Sequence, residues 1–149
     1  MKLGWRTPRR RQRDPAATPA KEWTQERLDS WVGRVLSQVR VSGVSLVLDF
    51  WELDDDISAW LYADEFEVRD PEVGPVGRTS SEAVVALHAL LGREVTSVEL
   101  TESRLRLVFA QRAEVLVGPQ QHQQAWALSF EQGGSITCEA GGALSLKFG

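Results

Sequence analysis

The chain has few residues of the types that carry out catalysis or bind metal ions. It has one cysteine, Cys138, and two histidines, His88 and His122. One cysteine and two histidines cannot supply the four nitrogen and sulfur ligands of a structural zinc site. A cysteine–histidine dyad would provide a nucleophile and its base, but Cys138 alternates with Ile136 in a predicted strand. We therefore expect no catalytic residue, no metal site and no cofactor.

The densest group of carboxylates lies between Trp51 and Ile57. It lacks the Asp-x-Asp-x-Asp-Gly spacing of a calcium loop, and consecutive aspartates point in different directions, so we interpret it as a solvated turn. Side chains alternate along a strand, so Trp51 points outward if Phe50 points inward. Exposed aromatic residues are enriched at binding hot spots. The predicted partner-binding residues are Trp51, Glu52, Asp54, Asp55 and Asp56.

The N-terminal segment is strongly basic. Residues 1–13 hold 6 basic residues and no acidic one, whereas the remainder has 17 − 6 = 11 basic against 21 acidic residues, a net charge of −10. Such an arm can bind nucleic acid through phosphate contacts. It can also be a disordered, solubilising tail that folds back on the acidic body and covers Trp51. The arginines of the alternative nucleic-acid site are Arg6, Arg9, Arg10, Arg11 and Arg13.

The composition is that of a soluble globular protein. The chain has 149 residues, of which 42% are hydrophobic and 26% charged, values typical of such proteins. A single cysteine rules out an internal disulfide framework and fits a reducing compartment. No apolar run approaches the roughly 20 residues that cross a bilayer, and the basic N-terminal segment lacks the apolar core of a secretion signal. We expect a cytoplasmic protein without membrane contact.

One pattern of apolar and turn residues occurs twice, in residues 33–50 and 92–109, at an offset of 59 residues. Each copy begins with Gly-Arg and ends with a Leu-x-Leu-x-Phe strand. The pattern predicts that one packing unit, a helix followed by a β-hairpin, is used twice. The matched apolar residues of the final strands are Leu46, Leu48, Phe50, Leu105, Leu107 and Phe109.

The elements that surround these hairpins can also be predicted. A first helix is expected from the N-cap Thr24 to Gly33, and a second from a capping box at residues 79–82 to Gly92. About nine short strands alternate between apolar and polar residues, which is typical of antiparallel sheets with one buried face. Three tryptophans fall on apolar positions and are expected in the core: Trp31, Trp60 and Trp126.

These predictions define the fold class as α+β. Two helix-plus-antiparallel-hairpin repeats form a sheet-rich single domain with two short helices. Residues 1–21 are the expected disordered basic arm, 22–70 the first repeat, 71–78 a linker rich in proline and glycine, and 79–149 the second repeat.

The C-terminal half contains several short motifs in a fixed order. They are Leu91-Gly92-Arg93-Glu94-Val95, Leu105-Arg106-Leu107-Val108-Phe109, Val117-Gly118-Pro119, Ala125-Trp126 and Gly141-Gly142. In these motifs the chain resembles a bacterial family of small domains of unknown function. It departs from the family pattern at Gln123-Gln124, where Tyr-Glu is expected, and at Ala140, where proline is expected. The resemblance covers roughly the last 60 residues and implies a fold without an accepted activity. Some members are suspected of being immunity-type or other partner-binding proteins.

The functional hypothesis is a non-enzymatic binding protein whose acidic surface contacts a basic protein partner. An immunity-like role is the sharpest form of this hypothesis. The alternative is a nucleic-acid-associated protein that binds through its basic arm.

Overall fold

The computed structural model describes residues 17–42, 45–51, 58–71, 74–76, 80–130 and 133–148. These residues form two α-helices and eleven β-strands. The helices are α1 (Ala17–Asp29) and α2 (Ser80–His88). The strands are β1 (Val35–Ser42), β2 (Ser45–Trp51), β3 (Ser58–Ala63), β4 (Glu67–Asp70), β5 (Gly74–Val76), β6 (Val95–Thr101), β7 (Arg104–Phe109), β8 (Glu114–Val117), β9 (Trp126–Ser129), β10 (Gly134–Cys138) and β11 (Leu144–Phe148).

The strands form two antiparallel sheets. Sheet A has six strands in the order β1-β2-β3-β9-β10-β11, and sheet B has five in the order β5-β4-β8-β7-β6. The chain therefore builds three strands of sheet A, continues into sheet B, and returns to sheet A after β8. The predicted fold class, a sheet-rich α+β protein with two short helices, is confirmed.

The hairpins β1–β2 and β6–β7 have the same register at the 59-residue offset. Val39 pairs with Leu48 in the first hairpin, and Val98 pairs with Leu107 in the second. Each hairpin also has a register shift after its first paired residues. That shift lies between Leu36 and Gln38 in β1 and between Val95 and Ser97 in β6.

Backbone hydrogen bonds between the beginnings of β1 and β6 join the two sheets. They are reciprocal: each bond from one hairpin to the other has a counterpart in the opposite direction, between the positions related by the 59-residue offset. Both glycines that donate have positive φ, 94° at Gly33 and 84° at Gly92, a conformation that glycine adopts without steric cost. The bonds run from Gly33 N to Val95 O (2.9 Å), Gly92 N to Leu36 O (2.9 Å), Leu36 N to Arg93 O (3.2 Å) and Val95 N to Arg34 O (2.8 Å).

The inner faces of both sheets contribute to a single hydrophobic cluster. At its centre Phe50 and Phe109 stack with ring centroids 6.1 Å apart, and Trp31 lies 4.6 Å from Phe50. The leucines that the sequence pattern assigned to the core are all buried there: Leu46, Leu48, Leu105 and Leu107. Leu28 and Leu87, at equivalent positions of the two helices, are buried in the same cluster.

Two expected boundaries are wrong. Helix α1 begins at Ala17, inside the segment 1–21 that we expected to be disordered. Pro19 is its third residue, and proline is tolerated in the first helical turn because the amides there have no partner inside the helix. Strand β5 (Gly74–Val76) lies inside the expected linker 71–78 and pairs with β4. Its proline occupies an edge strand, where a missing amide is tolerated.

The expected burial of Trp60 is also wrong. Trp31 and Trp126 are fully buried, but Trp60 is 37% exposed. Its neighbours Ala59 and Leu61 face the core, so Trp60 points to the other side of the sheet. Residues 57–62 are nearly all apolar, so the sequence offers no alternation that would assign the two faces.

The stacked phenylalanines generate a stability prediction. We expect Phe50→Ala and Phe109→Ala each to lower the free energy of unfolding by about 3–5 kcal/mol, since each leaves a cavity in a packed core. The two changes should couple by about 0.5–1.5 kcal/mol in a double-mutant cycle. Urea denaturation followed by circular dichroism measures these values.

The matched control for that experiment is Val85→Ala, because Val85 is 73% exposed on α2. It should change stability by less than about 0.5 kcal/mol. A loss of under about 1 kcal/mol for either phenylalanine would contradict the central position of the pair.

Candidate functional site

Two tryptophans lie next to each other on the outer face of sheet A. As strand alternation predicted, Phe50 is buried and Trp51 points outward, with 47% of its surface exposed. Trp60 lies on the neighbouring strand, paired with Asp49, so it is diagonal to Trp51 on the same face. We call the outer face of sheet A around Trp51 and Trp60 the tryptophan face.

A buried carboxylate adjoins these tryptophans. Asp49 is only 7% exposed, and its two oxygens accept hydrogen bonds from Arg40 Nε (2.6 Å) and Nη2 (3.1 Å). The hydrogen bond and the charge of Asp49 raise the pKa of the Arg40 guanidinium. Such a two-point contact fixes both side chains. On the tryptophan face the charge of Asp49 is therefore neutralised beside Trp60.

The opposite end of sheet A carries a polar network centred on Asp64. The carboxylate accepts hydrogen bonds from the Ser45 hydroxyl (2.6 Å), the Tyr62 hydroxyl (3.2 Å) and the Gln123 amide (2.8 Å). Gln123 also donates to the side chain of Gln120. We interpret the network as an anchor for the glutamine-rich loop.

The outer face of sheet B has a different surface, made of paired charges, which we call the charged ladder. Arg106 donates to Glu114 (2.8 Å) and to Glu99 (3.0 Å), and Arg69 donates to Glu67 (2.6 Å). The Arg106 hydrogen bond lowers the pKa of Glu114, and the two carboxylates raise the pKa of Arg106. Exposed pairs of this kind add little stability, and they leave the face well solvated.

The registers allow the two outer faces to be compared position by position. The pairing of Leu48 with Leu61 in sheet A corresponds to that of Leu107 with Val115 in sheet B. In the same way, the pairing of Leu61 with Leu128 corresponds to that of Val115 with Val68. At these matched positions sheet B carries charges, whereas sheet A carries mostly aromatic, aliphatic and small residues. The matches are Glu114 with Trp60, Arg106 with Val47, Glu67 with Ala127, Arg69 with Ser129, and Glu99 with Arg40. The tryptophan face therefore carries fewer charged residues than the outer face of sheet B, although Asp49 matches Val108.

A shallow cavity of about 390 Å³ lies over the outer face of sheet B. Its walls include Arg69, Arg106, Glu67 and Glu99, the side chains that pair with one another in the charged ladder. A ligand that used these four side chains would have to break those pairs, but Glu65 and Arg104 also line the cavity. Among the described residues, no group of three or more His, Cys, Asp or Glu could hold a metal ion.

Most of the predicted site residues fall outside the described part of the chain. Trp51 is described and exposed. The acidic residues that follow it, Glu52, Asp54, Asp55 and Asp56, lie outside the described residues. The arginines of the alternative nucleic-acid site, Arg6, Arg9, Arg10, Arg11 and Arg13, also lie outside them.

Cys138 is buried at the end of β10. Burial, with a smaller contribution from Glu139, raises the pKa of its thiol. A buried thiol with a raised pKa is a poor nucleophile because the thiolate is the reactive form.

Sequence reasoning missed Trp60 and the Arg40–Asp49 pair. The signal for Trp60 was available in the strand pairing: once Phe50 faces the core, its partner Ala59 must do so too, and Trp60 must face outward. Arg40 and Asp49 both lie in strands at outward positions, but nothing local to either residue indicates that they meet.

The chain matches a known family over residues 28–147. It belongs to the family of unknown function DUF6188. The match includes both hairpins, so it extends well beyond the C-terminal half in which the sequence motifs were recognised. Comparison with curated proteins and with solved structures gives no match. Neither helix in the described ranges is long and apolar enough to cross a membrane.

The charged ladder on sheet B generates a pH prediction. Arg106 lowers the pKa of Glu114 below its ordinary value of 4.5, so the ionised carboxylate stabilises the fold at neutral pH. This contribution is fully present above about pH 4.5 and is lost as the pH falls through the lowered pKa of the folded state. Relative to Glu114→Gln, the wild type should be more stable by about 0.2–1 kcal/mol at pH 7.

Urea denaturation at several pH values between 3 and 7 measures this difference. The difference should shrink toward pH 3, and at pH 7 it should be smaller in an Arg106→Gln background, where Arg69 is the remaining cation beside Glu114. An advantage that stays constant with pH would contradict the assignment to Glu114.

Proposed function

We propose that the protein is a non-enzymatic binding protein that contacts a basic protein partner. The contact surface is the tryptophan face, continued by the acidic residues that follow Trp51 in the sequence. The observation that carries the proposal is the pair Trp51 and Trp60, both exposed on the outer face of sheet A, with Trp60 at the position where sheet B has the paired Glu114. Tryptophan is among the residues most enriched at binding hot spots.

The geometry favours binding because the described part of the surface stands on paired strands. Trp51 and Trp60 lie on paired strands, and Arg40 and Asp49 are fixed by two hydrogen bonds. A pre-organised surface loses little conformational entropy when a partner binds. Indole rings also offer a large contact area and a face that attracts arginine and lysine side chains.

Charge defines the partner. Residues 14–149 carry 11 basic and 21 acidic residues, a net charge of −10. A surface of this sign speeds the encounter with a basic protein and disfavours acidic ones. An immunity-like protein, which covers a basic functional surface on a partner, is the sharpest form of the proposal. We place that function in the cytoplasm, which agrees with a free cysteine as the chain's sole cysteine.

We further propose that the two halves of the chain are copies of one helix-and-hairpin unit. The shared registers and the reciprocal hydrogen bonds of Gly33 and Gly92 support this view. In this proposal the inner faces keep the same packing, while one outer face has become a binding surface.

The basic N-terminal arm supports a second candidate function, binding to nucleic acid. Its 6 basic residues within residues 1–13 could each neutralise a phosphate, and such binding weakens steeply with salt. This candidate predicts a gel shift with DNA or RNA that disappears when Met1–Arg13 is deleted.

Capture of a partner tests the leading proposal. Immobilised protein should retain a basic protein from a native lysate at low salt and release it at high salt. With that partner purified, we expect Trp51→Ala and Trp60→Ala each to weaken binding at least about tenfold, as hot-spot truncations do. Charge reversal at Asp54–Asp56 should slow association and reduce the salt dependence. Isothermal titration calorimetry and stopped-flow fluorescence measure these effects.

Val85→Ala and Leu91→Ala are matched controls, because both remove exposed apolar side chains away from the tryptophan face. They should leave the affinity unchanged. Retention that is equal for the controls and the tryptophan variants would contradict the proposed surface.

A further inference from the structure

We propose that the protein forms a twofold dimer in which the edge strand β11 of one copy pairs with β11 of a second copy. The occupant of this edge is therefore the same strand, Leu144–Phe148, in antiparallel orientation. Dimerisation through β11 goes beyond the proposed function and does not depend on it. Trp51 and Trp60 lie on β2 and β3, which are at least three strand positions away from β11 in sheet A.

The backbone of β11 is paired on one side only. Sheet A ends at β11, and no described strand lies beyond it. Where the β10–β11 hairpin closes, Glu139 N donates to Ala143 O at 2.8 Å, and hydrogen-bonded pairs alternate with non-bonded pairs along an antiparallel ladder. Ser145 and Lys147 therefore bond to β10. The residues whose amides and carbonyls point to the free edge are Leu144, Leu146 and Phe148.

The same three residues carry apolar side chains that are incompletely covered. Leu146 pairs with Ile136, which is fully buried, so the three side chains point to the inner face of the sheet. Leu144 is nevertheless 38% and Phe148 59% exposed. Trp23 packs against one side of the Phe148 ring, at 4.8 Å between ring centroids. The edge thus combines unpaired backbone groups with exposed apolar side chains, and such an edge is a template for another strand.

An apolar groove adjoins Leu146. It has a volume of about 340 Å³ and lies between α1 and the edge strands β6 and β11, with Leu28, Leu100 and Leu146 among its walls. Ile136, the partner of Leu146 on β10, is fully buried and is not one of the lining residues. The groove therefore opens on the free side of β11. An inward side chain of an added strand would lie next to Leu146 and enter this groove.

The other three edges of the two sheets differ from β11. Strand β5 contains Pro75, which has no amide to donate. Strands β1 and β6 each contain a register shift and are bridged to each other at their beginnings. Prolines and such irregularities keep edge strands from pairing with other molecules. Strand β11 contains no proline and pairs with β10 without a register shift.

The strand β11 is complementary to itself about Leu146. In an antiparallel pair centred there, Leu146 lies opposite its own copy, and Leu144 lies opposite Phe148 of the second copy. All free amides and carbonyls of both edges are then used, whereas a centre at Leu144 or Phe148 would use fewer of them. Lys147 is the one charged residue of the strand, and it lies opposite Ser145, so like charges do not meet. A contact made by the same residues of both copies closes as a C2 dimer.

The proposed interface is small and leaves the tryptophan face open. We expect one pair of strand edges and a groove to bury less than the roughly 1,200 Å² at which standard interfaces begin. Monomer and dimer should therefore be in equilibrium. The twofold axis of such an edge pair is perpendicular to the sheet, so the tryptophan faces of both copies lie on the same side of one continuous sheet.

Sedimentation equilibrium of the full chain tests the dimer. The mass should rise with concentration from the 16.6 kDa of one chain towards twice that value. It should do so in about 0.5 M salt as well, because salt screens contacts between charges and not apolar ones. Leu144→Lys and Phe148→Glu should each raise the dissociation constant by at least about tenfold, since each places an unpaired charge at two points of the interface.

A mixture of these two variants tests the register. In the mixed dimer the lysine at position 144 lies opposite the glutamate at position 148 of the other copy. The equimolar mixture should therefore associate more tightly than either variant alone, by about fivefold or more. Within one strand the two positions are about 13 Å apart, so a gain on mixing comes from contact between copies. Association of the mixture that is no tighter than that of either folded variant would contradict the pairing about Leu146.

Hydrogen exchange of the wild type, followed by NMR, gives a readout that needs no substitution. The amides of Leu146 and Phe148 should exchange more slowly as the protein concentration rises, because they become bonded in the dimer. The amide of Lys147 is already bonded to β10 and should depend less on concentration. Equal concentration dependence of all three amides would contradict the assignment of the interface to the free edge.

Val41→Lys and Trp51→Ala are the matched controls. Val41 is an exposed apolar residue on the opposite edge strand of sheet A, and Trp51 belongs to the tryptophan face. Both variants should keep the dissociation constant of the wild type. A wild type that stays at the mass of one chain up to about 1 mM, or a dimer that only the control variants dissociate, would overturn the inference. These measurements do not involve the partner, so their failure would leave the proposed function untouched.

Discussion

The fold depends on a pair of reciprocal backbone contacts at the point where each helix passes into its hairpin. Gly33 donates to Val95 and Gly92 donates to Leu36, both at 2.9 Å. Each glycine has positive φ, which an L-residue with a side chain adopts only with strain. These contacts bring the first strands of the two sheets together. They also bring Phe50 and Phe109 within 6.1 Å of each other in the core.

Each of the two sheets also contains strands from both halves of the chain. Sheet A takes its second half from β9, β10 and β11, and sheet B takes β4 and β5 from the first half of the chain. The first half alone would lack β9, the second partner of β3, and β8, the second partner of β4. Stability is therefore distributed over the whole chain, and the inward residues are held to one pattern by packing. Outward residues are not constrained in this way, and the two outer faces have different surfaces.

The sequence predicted what depends on local pattern. Strict alternation and the Leu-x-Leu-x-Phe motif located β7 at the residues observed, Arg104–Phe109, and assigned the core leucines correctly. Trp51 was assigned its outward direction because it directly follows a core phenylalanine. What the sequence did not predict depends on pairing between distant strands. The short strand β5, the return of β9 to sheet A and the exposure of Trp60 all follow from partners far away in the chain.

The same distinction applies to the candidate site. Residue types identified an aromatic residue beside a run of acids, but the second tryptophan and the Arg40–Asp49 pair become neighbours only through the register of β1, β2 and β3. That register places two exposed indoles beside a neutralised ion pair on a protein whose residues 14–149 carry a net charge of −10. A basic partner would be attracted by the net charge and then bound by contact with the indoles, so long-range attraction and short-range affinity come from different residues.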